Sequence, residues 1–238
     1  GTLKRREHLQ EGKFFWCQCK RCCDPTELGT YSSAIQCPKC RGGLILSTDP
    51  LDQNSPWKCQ NGNCAYIVTG KSMLLLVDTV FKELDSIHCN DVNGFEVFLE
   101  KYRNVFHKNH YLCICAKHSL FQLYGRSENF MIQELTIDQL RVKENYCRDI
   151  LDVVNLLEPG LSKLRGVIMY ELHAPVMIQA TRLYESGEIK NNDLKKRLRE
   201  VIKLLRESEE ILKMEPEGSN EYTMAVAAGD ALNRIGKV

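Results

Sequence analysis

The chain has 238 residues, 43% of them hydrophobic and 26% charged, and a formal net charge of +1. These are the proportions of an ordinary folded protein of one large domain or two modest ones. The near-zero charge argues against a dedicated nucleic-acid binder, no apolar run approaches the ~20 residues of a membrane span, and no signal-peptide pattern opens the chain.

The first residues, GTLKRREHL, carry no initiator Met and read as the start of a fragment. Residues 1–64 hold nine Lys/Arg against six Asp/Glu, a small excess that reads as solvated surface, so nucleic acid is not an expected partner. The basic stretch around His8 reads as helix, with His8 on its surface. The aromatic run Phe14, Phe15, Trp16 follows; Phe14 and Trp16 are expected to pack onto a core, and Phe15 either packs or presents a ring face.

Eight of the twelve cysteines lie within residues 1–64. A secreted disulfide framework is the wrong context, because such scaffolds are short and core-poor while some 170 patterned residues follow here. Metal binding in a reducing, intracellular compartment (cytoplasm or nucleus) fits better. CQCKRCC places Cys17, Cys19 and Cys22 at short-turn spacings that can converge on one ion, with no convincing fourth ligand. Cys23 is adjacent to Cys22, and neighbouring side chains in extended chain point to opposite faces.

CPKC at 37–40 and CQNGNC at 59–64 form C-x2-C-x18-C-x4-C, close to a zinc ribbon. Cys37, Cys40, Cys59 and Cys64 would make a closed structural site, Gly42, Gly43 and the NGN segment supplying the tight turns. A segment of ~30 residues cannot bury enough apolar surface to fold by itself, and metal can supply the deficit.

Near Thr69 the composition changes and helical periodicity begins. A helix over 72–88 aligns Met73, Val77, Val80, Phe81, Leu84 and Ile87. Asp91 caps a second, carrying Phe95, Phe98, Leu99, Tyr102 and Phe106. HYLCICAKHSLFQLYG is apolar nearly all round, hence buried, and stops at Gly125. TIDQ at 136–139 is a capping box opening a helix through Leu157. A helix over 162–186 is expected to kink or break at Pro175, and two more follow over 193–212 and 221–235. Cys89, Cys113, Cys115 and Cys147 are expected in the core. Short loops between such helices imply antiparallel neighbours. The fold class is therefore mainly α: a small Cys-rich zinc-binding region followed by an all-α, TPR-like antiparallel array.

FFWCQCKRC resembles the post-SET segment of SMYD (SET- and MYND-domain) proteins, and CDPTELGTYSSAIQCPKCRGG, HKNHYLCICAKHSLFQLYG and LEPGLSKLRGVIMYEL are similar to the arthropod SmydA-like branch. The resemblance covers essentially the whole chain. It implies a C-terminal portion: a post-SET zinc segment (1–30), a zinc ribbon (31–70) and a helical domain (71–238). It implies a parent that transfers methyl from S-adenosylmethionine to protein lysine, with the helical domain walling part of the substrate cleft. The resemblance places the fourth post-SET zinc ligand, the Asn-His cofactor motif and the catalytic tyrosine in a SET core upstream, with no matching motif in residues 1–238. Phe15 then corresponds to the aromatic that stacks on the cofactor's adenine. This chain alone is expected to be inactive, with a protein substrate or partner protein and the SET core as its partners. The competing expectation is a non-catalytic zinc-ribbon and helical adaptor that binds a partner protein.

Overall fold

The computed structural model describes residues 1–235, so the last three residues of the expected helical domain lie outside it. Among the described residues are nine helices and one four-stranded sheet, and none of the helices is long and apolar enough to cross a membrane. The chain forms two compact units, residues 1–116 and residues 117 onward, the division falling inside one helix. The helices at Gly70–Asp85 and Val92–Tyr102 thus belong to the same unit as the cysteine-rich region.

The first unit begins with α1 (Thr2–Lys13), which ends where Phe14 turns into the left-handed region at φ 60°. A single turn, α2 (Lys20–Cys23), follows. The sheet is a meander of β1 (Ile35–Gln36), β2 (Leu44–Ser47), β3 (Trp57–Cys59) and β4 (Ile67–Val68), antiparallel throughout and ordered β1-β2-β3-β4. Its register sets Ile35 opposite Ile45, Ile45 opposite Cys59, and Trp57 opposite Val68. Ile35, Ile45, Leu46 and Trp57 are buried. Strands this short make a weak sheet by themselves.

Thr69 caps α3 (Gly70–Asp85) by accepting from the Ser72 amide. Of the apolar face read from sequence, Met73, Val80 and Leu84 are buried while Phe81 is 43% exposed. Asp91 caps α4 (Val92–Tyr102) as expected, accepting from Gly94 N–H at 2.9 Å. Phe106 departs from expectation: it lies past the end of α4, fully buried, in a bridge to Ile35. Gln36 N–H donates to the Val105 carbonyl and His107 N–H to that of Ala34, so sheet-type pairing outcompetes the last helical turn.

The division falls within α5 (Tyr111–Leu123), which is buried as its composition implied and stops before Gly125, at φ 109°. In the second unit α6 (Ile137–Leu157) opens on the expected capping box, Thr136 and Gln139 each bonding the other's backbone N–H. α7 (Lys163–Glu185), α8 (Asn191–Leu212) and α9 (Asn220–Ile235) complete an array in which consecutive helices pack together. Arg182, near the end of α7, donates to the Leu135 and Gln133 carbonyls just before α6, and Ser208, near the end of α8, donates to Gly166 near the start of α7. Both contacts require antiparallel neighbours. The expected fold class is observed.

Pro175 neither ends nor interrupts α7, which runs unbroken past it. The lost hydrogen bond and ring clash cost about 3 kcal/mol. Packing of α7 against α6 and α8 outweighs that cost. Gly166 is the close-approach point: a Cβ there would stand 2.8–2.9 Å from Leu212 and Ile211. Lys143 holds the end of α5, its buried Nζ donating to the Phe121 and Tyr124 carbonyls (2.6 Å each) and to Glu171 (2.8 Å).

Candidate metal centres

The ribbon cysteines sit on two knuckles at the ends of strands. After β1, Cys37 N–H donates to the Gly43 carbonyl at 2.8 Å and Arg41 N–H to that of Cys37 at 2.9 Å, closing a turn in which Arg41 adopts φ 55°. After β3, Cys64 N–H returns to the Asn61 carbonyl at 2.9 Å, and the Asn61 side chain accepts from Asn63 N–H. Because β1 and β3 both pair with β2, the sheet register brings the two knuckles together.

All four sulfurs lie within 4.8 Å of one another. Two of the edges are 3.8 Å (Cys37 to Cys64) and 3.7 Å (Cys40 to Cys59). A tetrahedron with Zn–S of ~2.3 Å has edges of ~3.8 Å. These residues fit a zinc ion. Backbone N–H groups, that of Gly42 foremost, hold the Cys40 thiol down to about 6, while burial pushes Cys59 up to about 12. One sulfur is thus readily a thiolate, and ion binding would displace the proton from the other. A Cβ at Gly43 would stand 2.6 Å from Cys59 Sγ and 3.2 Å from Cys40 Sγ, so glycine is what lets the backbone lie against the sulfurs.

Cys17, Cys19 and Cys22 also converge, their sulfurs within 4.8 Å of one another. The turn at Phe14 sends the chain back past α1; Cys19 caps α2 and Cys22 lies on it, buried. Cys23 points away, exposed and donating to the Gln18 carbonyl at 3.3 Å, and His8 is exposed on α1. Neither belongs to the cluster among the described residues.

Sequence reasoning missed two residues of α1 here. Arg5 Nη1 donates to Cys22 Sγ at 3.1 Å, and its nearby guanidinium, with the Cys19 backbone, holds the Cys17 thiol down to about 6. Burial pushes Cys22 up to about 11. Arg6, buried, donates to the Cys17 carbonyl (3.0 Å) and the Leu51 carbonyl (2.6 Å) beneath the Trp16 ring. The only signal was a basic helix with no apolar stripe, which reads as solvated surface.

Other expected placements are corrected. Phe14 is 85% exposed and Trp16 52%, not packed, because the left-handed turn faces this triplet outward. Phe15 is 47% exposed. Cys113 and Cys147 are core residues as expected, but Cys89 and Cys115 are exposed. His110 is stacked on Phe106 and Tyr111.

The first unit also contains a cavity of about 280 Å³ that no sequence pattern announced. Thr2, Glu27 and His110 line it, each with a buried polar atom that makes no hydrogen bond within the protein. His110 Nδ1 accepts from Leu112 N–H, which leaves Nε2 as the proton-bearing nitrogen. A space of this size holds several waters, enough to satisfy those atoms.

No family model matches the chain. It is 28% identical over 177 residues, 72% of its length, to SET domain-containing protein SmydA-8, isoform B, of Drosophila melanogaster. To isoform A of the same protein it is 27% identical over 178 residues. The likeness to SmydA-type SMYD proteins is borne out. The chain spans 38% and 37% of the lengths of these two relatives.

Proposed function

We propose that these residues are the post-SET segment (1–30), zinc ribbon (31–70) and helical region (71–238) of a SMYD-like protein, and that the whole protein transfers methyl from S-adenosylmethionine to protein lysine. The observation that carries this is a four-sulfur cluster with zinc-sized edges together with a three-sulfur cluster, in a chain similar to proteins named for a SET domain.

On this reading both zincs are structural. Four thiolates close the ribbon's shell, whereas a catalytic zinc keeps a position open for water. The Cys17, Cys19 and Cys22 centre takes its fourth ligand from the SET core and so fastens the core to α1 and the ribbon. Phe15, half exposed, offers one ring face to the adenine of the cofactor. S-adenosylmethionine, when bound, supplies the methyl group. The antiparallel, TPR-like helices wall one side of the substrate cleft and offer a surface to a protein substrate or partner. No residue of 1–238 carries a catalytic role on this reading, and the isolated chain transfers no methyl.

Calorimetry with S-adenosylmethionine tests this. The full-length protein containing this chain is expected to bind the cofactor and residues 1–238 are not. Phe15→Ala should weaken binding about fivefold, the equivalent of ~1 kcal/mol of stacking. A zinc-saturated full-length protein that binds no cofactor would overturn the methyltransferase reading and leave the zinc-and-helix adaptor.

A further inference from the structure

The two sulfur clusters meet their negative charge differently. Four thiolates and Zn²⁺ carry a formal charge of −2, and three thiolates with Zn²⁺ carry −1. In the ribbon, backbone amides do the stabilising, those of Gly42 and Gly43 on the Cys40 thiol and that of Asn61 on the Cys59 thiol. In the second cluster the donor is a side chain: Arg5 Nη1 reaches Cys22 Sγ at 3.1 Å. Among the described residues Arg5 forms no ion pair with a carboxylate, so its charge is directed at sulfur.

Its position is fixed from two sides. Arg5 lies in the first turns of α1, its backbone N–H bonded to the Gly1 carbonyl at 3.1 Å. Next to it, Arg6 binds the carbonyls of Cys17 and Leu51. The consecutive arginines thus grip one cysteine segment, Arg5 by the Cys22 sulfur and Arg6 by the Cys17 backbone. A planar guanidinium presents its charge and donors in a fixed fork, which a single ammonium does less well.

We propose that Arg5 is the charge partner of the Cys17, Cys19 and Cys22 centre, setting how tightly it holds Zn²⁺ and how readily its sulfurs react with electrophiles. This deepens the reading of those cysteines as zinc ligands and rests on it. Donation to a metal-bound thiolate stabilises its negative charge, which favours the loaded state and lowers the nucleophilicity of the sulfur. Loss of such an outer-sphere partner typically costs about 10–100-fold in metal affinity.

The experiment uses zinc-loaded residues 1–238 as wild type, Arg5→Lys, Arg5→Gln and Cys17→Ser. It reads zinc by chelator competition and iodoacetamide alkylation of Cys17 and Cys22 by mass spectrometry. Arg5→Gln should weaken one of two zincs about 10–100-fold and speed alkylation at both cysteines, with the ribbon zinc unchanged. Arg5→Lys should fall between, because it keeps the charge but loses the fork. Two zincs in wild type with Arg5→Gln unchanged in affinity and alkylation, or with both zincs weakened equally, overturn the role of Arg5 alone. A single zinc in wild type that Cys17→Ser leaves untouched overturns the zinc reading of the cluster as well. Should Arg5→Gln not fold, Arg5→Lys decides: wild-type affinity and alkylation rates refute the proposal.

Discussion

Gly43→Ala is the sharpest test of the ribbon as a metal centre, because it adds one methyl where the sulfurs leave no room. The new carbon would stand 2.6 Å from Cys59 Sγ, 3.0 Å from Asn61 Cβ and 3.2 Å from Cys40 Sγ. Non-bonded heavy atoms rest at about 3.5–4.0 Å, so Cys59 Sγ would have to retreat by roughly 1 Å. Metal–ligand distances tolerate only about 0.2 Å, and the sulfur edges already match a zinc tetrahedron. Relief must come from the backbone, as in an overpacked core, at about 1–3 kcal/mol. That corresponds to an affinity loss of about fivefold to somewhat over a hundredfold. Gly42→Ala is the control: its Cβ would meet only the Cys40 carbonyl, at 3.8 Å, and its φ is not in the left-handed region. It should change stability by no more than about 0.5 kcal/mol. Zinc competition with a chromophoric chelator measures both. Wild-type affinity in Gly43→Ala, or equal weakening by the two substitutions, would refute the claim that these four sulfurs share an ion.

Two further predictions concern the second unit. Lys143→Met removes the Nζ donor to the Phe121 and Tyr124 carbonyls and leaves Glu171 with Arg126, so denaturant melts should show a loss of about 3–5 kcal/mol; a loss below about 1 kcal/mol would show the buried pair to be dispensable. Burial acts to raise the pKa of Glu144, but Arg148 and Arg197 outweigh it, so the net shift is downward from the ordinary 4.5. A depressed carboxyl contributes stability that is fully present above 4.5 and is lost as pH falls through its folded value. Glu144→Gln should therefore be less stable than wild type at pH 7, by about 1.5–3 kcal/mol for lost charged hydrogen bonds, with the gap narrowing in acid. A gap that stays constant from pH 7 to pH 3 would contradict that assignment.

What the sequence made legible was local. The capping box at Thr136 and Gln139, the cap at Asp91 and the stop at Gly125 are each decided within a few residues. The ribbon was legible because one ion imposes a fixed spacing on each knuckle, and register brings the two knuckles together without further specification. The misreadings were long-range. Phe106 continues a helical period, yet it leaves the helix because β1, some 70 residues earlier, offers its backbone a better partner. Pro175 carries a local penalty that only the flanking helices could outweigh. Phe14 and Trp16 have core composition, yet one left-handed residue turns them outward.

Arg5 and Arg6 show the same limit at the candidate site. In sequence they are two charges in a basic run, and the cysteines they serve lie more than ten residues away. Their role arises only when the turn at Phe14 folds the cysteine segment back along α1. The Cys22 sulfur and the Cys17 carbonyl are then each held by an arginine of α1. A substitution at Arg5 or Arg6 therefore removes a contact to the cysteine segment and not a surface charge alone.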